Sequence, residues 1–148
     1  MTVAAVYGLA SLGLLSAKFD VESDTLKCAL FDDTYVPDLD ADEFYGDLTG
    51  EISDRTPTPT NYTVGGVVLT NVEATYVSGS NKSMVDCDDP TWPTVTHEGV
   101  RFAVFYKWSG SAATSPLLSY MDFESDQDAT ASTWSIVIPV TGLFDAAV

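Results

Sequence analysis

Carboxylates are the residues of this chain with the most chemical reach. Asp38-Leu-Asp-Ala-Asp42 alternates acids as a calcium loop does, but Glu43 stands where such a loop needs its glycine and Thr49 where it needs a bidentate glutamate. Asp86, Asp88 and Asp89 form a second acidic group, and Asp122, Glu124, Asp126 and Asp128 a third. No spacing singles out a glycosidase-like pair among so many acids. Solvated loop charge is the plain expectation, and a loop Ca²⁺ joining segments or subunits is the alternative. His97 is the only imidazole, and no serine lies in a G-x-S-x-G elbow, so a base-activated nucleophile has no evident source. Cys28 and Cys87 lack metal-ligand spacing and read as buried thiols, with a disulfide left open if their strands are neighbours. The expectation is no catalytic residue, no metal and no cofactor.

Aromatic side chains beside loops are the other candidates. Tyr35, Phe44, Tyr45, Tyr62 and Trp92 all flank polar stretches. Such residues serve as interface anchors or ligand platforms, although capping the core is the commoner use. They are the interface candidates of this sequence.

Composition limits the partners. With 6 basic and 22 acidic residues the net charge is −16, a balance that repels phosphate backbones and anionic lipid. Nucleic acid and membranes are therefore not expected partners. The acidity serves solubility, and it equally suits a protein hydrated in high salt. A chain of 148 residues, 45% hydrophobic, is one domain able to bury a core without metal or disulfide. The sequons Asn61-Tyr-Thr63 and Asn81-Lys-Ser83 matter only in an exported protein. Residues 3–15 superficially resemble a signal-peptide core, but no Lys or Arg precedes them, Gly8 and Gly13 interrupt them, and they are too short to span a bilayer.

The elements that must position these groups are mostly strands. Arg101-Phe-Ala-Val-Phe-Tyr-Lys-Trp108 puts Phe102, Val104, Tyr106 and Trp108 on one face and Ala103 and Phe105 on the other, which predicts a central strand covered on both sides. Alternation predicts further strands over residues 25–31, 67–69, 72–77, 83–87, 116–123 and 134–138, with a hairpin turn at Ser78-Gly-Ser-Asn81. Residues 3–17 carry apolar positions at helical spacing. Residues 32–59, 88–92, 110–115 and 126–131 read as loops, the first long enough to be a contact surface. Trp92 is expected to cap the core. The fold class expected is mainly β, an antiparallel β-sandwich or barrel-like domain with one short N-terminal helix, spanning 1–148 as a single domain.

Taken in order, several of these pieces resemble a family of small β-rich proteins encoded among the virion structural genes of tailed bacterial and archaeal viruses. They are the N-terminal apolar segment ending near Asp20, Asp24-Thr-Leu-Lys-Cys-Ala-Leu30, Tyr35-Val-Pro-Asp38, Glu43-Phe-Tyr45 and Tyr62-Thr-Val-Gly-Gly66. Asp89-Pro-Thr-Trp92, Arg101-Phe-Ala-Val-Phe-Tyr106, Pro116-Leu-Leu-Ser-Tyr-Met-Asp-Phe123, Trp134-Ser-Ile and Gly142-Leu-Phe144 complete the series. The cysteines and the acidity depart from the usual members. The resemblance implies a non-enzymatic virion subunit, on the head surface as a decoration, cement or turret protein, assembled in the host cytoplasm. Its implied partners are the major capsid protein or other virion proteins and further copies of itself, a homo-oligomer. Tail, neck or fibre-base placement is the runner-up, and a carbohydrate-binding module on the virion is a third reading.

Overall fold

The computed structural model describes residues 3–147. Its strands are β1 (Val3–Val6), β2 (Leu26–Phe31), β3 (Val67–Val68), β4 (Glu73–Val77), β5 (Lys82–Asp86), β6 (Thr91–Lys107), β7 (Leu117–Ser135) and β8 (Phe144–Ala147), with one α-helix, α1 (Gly8–Leu15). Short 3₁₀ turns lie at Tyr45–Asp47, Ile52–Asp54 and Ala112–Thr114. The protein is mainly β, as its alternating runs predict. Five strands form an antiparallel sheet in the order β1-β7-β6-β2-β3, and three form a second in the order β4-β5-β8. The larger sheet ends in β1 and β3, so it does not close into a barrel.

The predicted central run is the middle of that sheet. β6 pairs with β2 on one side, Cys28 opposite Phe105 and Leu30 opposite Ala103, and with β7 on the other, Val104 opposite Tyr120. Ala103, Val104, Phe105 and Tyr106 are all fully buried. Each large side chain withdrawn from water contributes roughly 1.5–3 kcal/mol, so Val104, Phe105 and Tyr106 add a substantial share of the hydrophobic free energy.

Several expected boundaries are corrected. Residues 3–17 are not one helix: Val3–Val6 pairs antiparallel with β7, Val6 opposite Ser119, and only Gly8–Leu15 is helical. β-branched Val3 and Val6 gain a whole ladder at an open sheet edge, which outweighs weak helical periodicity. Loop residues expected at 126–131 lie inside β7, and Trp92, expected in a loop, lies inside β6. Trp134 starts no strand of its own, because β7 runs through it and ends at Ser135. β4 is exposed along its whole length instead of half-buried, held by the ladder to β5 and by the Ala74 amide donating to Glu22 at 3.1 Å.

β6 and β7 escape pattern recognition because they are bulged. Their register shifts repeatedly between Trp92 and Phe102, and Glu124 and Ala131 take positive φ, of 62° and 44°. The bend brings the rings of Phe123 and Trp134 to 5.9 Å, where an unbent strand would hold them roughly 35 Å apart. The far half of the hairpin therefore folds back, and Trp92, the direct cross-strand partner of Trp134, is buried there.

Candidate functional site

Residues 32–59 read as a contact loop, and their large apolar side chains divide: Val36 and Leu39 are exposed, and Phe44 and Leu48 are half-buried. Tyr35, Tyr45 and Ile52 are buried. Tyr45 stacks on Tyr106 at 4.4 Å, Tyr35 meets Phe31 at 5.1 Å and Phe102 edge-on at 5.5 Å, and Tyr7 meets Tyr120 at 5.7 Å. This loop is the cover over one face of the five-stranded sheet.

Two carboxylates fasten the cover. Glu51, itself buried, accepts hydrogen bonds from the Tyr45 hydroxyl, from the Tyr62 hydroxyl at 2.8 Å and from the Gly65 amide at 2.7 Å. Tyr62 Oη in turn accepts the Leu30 amide at 2.9 Å, and Tyr106 Oη donates to the Gly65 carbonyl at 2.8 Å. Asp42 accepts from Tyr35 at 3.0 Å, and Tyr35 shares a hydrogen bond with Tyr7. Gly65 and Gly66 make the turn with φ of +80° and +71°, and a Cβ on Gly66 would lie 1.7 Å from the Cys28 carbonyl oxygen. The predicted glycine pair thus permits both positive φ and close backbone approach.

Of the five interface candidates, Tyr35, Tyr45 and Trp92 lie in the core and offer no exposed platform. Tyr62 is half-buried, stacked on Trp92 at 6.5 Å and committed to Glu51. Phe44 alone borders an open surface groove. That groove, about 310 Å³, lies between α1 and the β6–β7 connection and is walled by Leu9, Leu12, Phe19, Phe44, Pro116 and Leu117. Gly13 also lines it, and the Phe19 ring, 2.2 Å from where a Cβ would stand, leaves no room for a side chain there. Lys18 and Lys107 border it opposite Glu43; Lys107 is paired with Asp24 at 2.7 Å. On α1 itself Leu9, Leu12 and Leu15 are 40%, 56% and 89% exposed. Leu9, Leu12 and Leu15 thus leave apolar surface of one short helix open to solvent beside an apolar groove.

Several other carboxylates are committed to hydrogen bonds within their own loop or to a facing segment. Asp38 accepts the amides of Asp40 and Ala41 at 3.0 and 3.1 Å, Asp88 accepts Asn71 Nδ2 at 2.6 Å, and Asp128 accepts the Gly99 amide at 2.7 Å. Asp122 pairs with Arg101, and that hydrogen bond holds its carboxyl below the usual carboxylate range. Among the described residues no group of three or more His, Cys, Asp or Glu side chains is placed to hold a metal ion. Cys28 and Cys87 are free thiols. Burial pushes Cys28 up, and burial together with Asp86, Asp88 and Asp89 pushes Cys87 up to about 12. Since only the thiolate attacks, Cys87 at pH 8 is expected to react with Ellman's reagent ~10³-fold more slowly than an ordinary cysteine, which a stopped-flow thiol assay measures.

Sequence reasoning missed Glu51 and gave no role to His97. Both are lone residues whose surroundings come from distant segments, so no local spacing announces them. No helix among the described residues is long and apolar enough to cross a membrane. No protein-family model, no curated protein and no solved structure matches the chain.

Proposed function

We propose that the protein is a non-enzymatic structural subunit of a tailed-virus particle, on the capsid surface as a decoration, cement or turret protein, acting through repeated protein–protein interfaces. The observation that carries the interface reading is the exposed leucine face of α1 and its apolar groove on a chain of net charge −16. Such a chain repels its own kind at long range, so an uncovered apolar patch needs a docking role to offset its cost in solubility. The order of the motifs from Asp24-Thr-Leu-Lys-Cys-Ala-Leu30 to Gly142-Leu-Phe144 supports the virion setting. The major capsid protein or a neighbouring copy is the partner, and many modest contacts in a closed array reinforce one another. Acidic outer faces keep finished particles apart.

Replacing Leu12 and Leu15 together by aspartate tests this. Both side chains are largely exposed, so the isolated variant keeps its Tm within a few degrees. Incorporation into particles, read by quantitative mass spectrometry of purified virions, is expected to fall at least tenfold, because each buried charge costs more than 1 kcal/mol at an apolar interface. Absence of the wild-type chain from purified particles overturns the virion reading. Full incorporation of the double variant moves the interface away from α1.

A further inference from the structure

We infer that α1 is the two-fold contact of a homodimer, packed antiparallel on α1 of a second copy, with Leu12 on the axis, Leu9 against Leu15 of the other chain and Lys18 against its Asp40. The inference rests on the reading of α1 as an interface and commits that interface to a second copy; it does not need the virion setting. Charge is the first reason. The chain carries 22 acidic residues, yet none lies among the first 19, and the groove beside α1 is lined by two of the six basic residues, Lys18 and Lys107, against one acid, Glu43. Two copies of net charge −16 repel over most of their surfaces, and at α1 they can approach where the acids are absent.

The two ends of the helix differ in sign. At its start the Gly8 amide donates to the Leu39 carbonyl at 2.9 Å, which holds Asp40 Oδ1 4.0 Å from where a Cβ on Gly8 would stand. At its end Ala17 turns at φ 56° and the Lys18 amide reaches back to the Gly13 carbonyl at 2.9 Å, which fixes Lys18 there. Both side chains are exposed, and Lys18 forms no ion pair among the described residues. The Asp40 carboxylate, unlike those of Asp38 and Asp42, accepts no hydrogen bond among them. An antiparallel second copy brings the acidic end of one helix to the basic end of the other, and a two-fold contact makes that pair twice.

The leucines fit the same operation. Leu9 and Leu15 each stand three residues from Leu12, so an axis beside Leu12 sets Leu12 on its counterpart and Leu9 on Leu15, again twice. Leu39, exposed and tied to Gly8, extends the apolar patch to where Leu15 of the second copy arrives. The patch thus supplies both members of every pair, acid and base, leucine and leucine. An eight-residue helix is about 12 Å long, so the contact is small and the dimer transient, with a Kd between about 1 µM and 1 mM.

The test is made on the purified full chain in about 0.15 M salt, by sedimentation equilibrium up to about 1 mM protein, where the wild type is expected to dimerise. Lys18→Glu and Asp40→Lys are each expected to weaken the dimer severalfold, since each sets like charges against one another, while Tm stays within a few degrees. Mixed in equal amounts, the two variants are expected to associate more tightly than either alone, because the heterodimer restores both opposite-charge pairs. Net charge alone places the heterodimer between the two homodimers, so it cannot imitate that result. Leu12→Cys is expected to form a disulfide-linked dimer under oxidised glutathione at least tenfold faster than the wild type, whose Cys28 is buried and Cys87 half-buried. A wild type still monomeric at about 1 mM, a mixture no tighter than its better component, or a Leu12→Cys chain that cross-links no faster than wild type would each overturn the inference. A chain monomeric in solution yet present in purified particles overturns the dimer alone; a chain that dimerises in this way but is absent from particles keeps the dimer and removes the virion reading.

Discussion

Raising the pH from about 9 to about 12 is expected to unfold the protein in one cooperative step, because the folded state cannot release the protons of its buried tyrosines. Burial first, and then the neighbouring carboxylates Glu51 and Asp42 or a second tyrosine, push Tyr7, Tyr35, Tyr45, Tyr62 and Tyr106 well above the ordinary value near 10. The sign follows from proton counting. Above pH 10 the unfolded chain gives up these protons while the native chain keeps them, so the unfolded state gains and stability falls as pH rises. Each such tyrosine costs about 1.4 kcal/mol per pH unit, and five together about 7 kcal/mol per unit. A domain of this size has only about 5–15 kcal/mol in total, so the margin is gone within about two units of pH 10. Tyrosinate absorbance and near-ultraviolet circular dichroism, recorded on the same samples, check this: both change together at one midpoint. Smooth titration of all the tyrosines near pH 10 with the fold intact would contradict the buried hydroxyl network.

Why the sequence announces the sheet and hides that network is a matter of range. The run from Phe102 to Tyr106 is legible because a strand covered on both faces must be apolar at every position, and no loop has that composition. The turn at residues 78–81 is legible because its chemistry is local, with Asn81 at φ 54°. Residues 126–131 read as a loop because most of them are polar and exposed, and polarity tracks exposure, not backbone pairing. β7 carries them on its bend. Val3–Val6 depends on an edge supplied by residues far along the chain, which no window around it contains. The aromatics beside loops were conspicuous but ambiguous in direction: a tyrosine next to Gly, Asp and Thr serves equally as an anchor facing out or a cover facing in. What settles Tyr35 and Tyr45 is the acceptor available to each hydroxyl inside, Asp42 and Glu51.

Replacing that second acceptor is the substitution with the largest expected effect. Glu51→Ala strips three donors of their partner at once, the hydroxyls of Tyr45 and Tyr62 and the amide of Gly65. Each donor left buried and unmatched costs about 1–3 kcal/mol, and some water will enter the space vacated, so a loss of about 3–5 kcal/mol is expected. Because Gly65 also accepts from Tyr106 of the central strand, the damage spreads from the turn into the five-stranded sheet. Glu51→Gln separates hydrogen bonding from charge. Its amide oxygen replaces Oε1 for Tyr62 and Gly65, and the Tyr45 hydroxyl can turn to accept from the new amide, so the loss is expected to be about 1 kcal/mol or less. Urea unfolding at pH 7, followed by tryptophan fluorescence, measures both. The glutamine variant should also withstand alkali slightly better, since the negative neighbour that helps hold Tyr45 and Tyr62 protonated has been removed and their ionisation in the folded state becomes easier. Equal losses in the two variants would mean that Glu51 acts through its charge, and a loss below about 1 kcal/mol in Glu51→Ala would remove it as the fastening point of the loop.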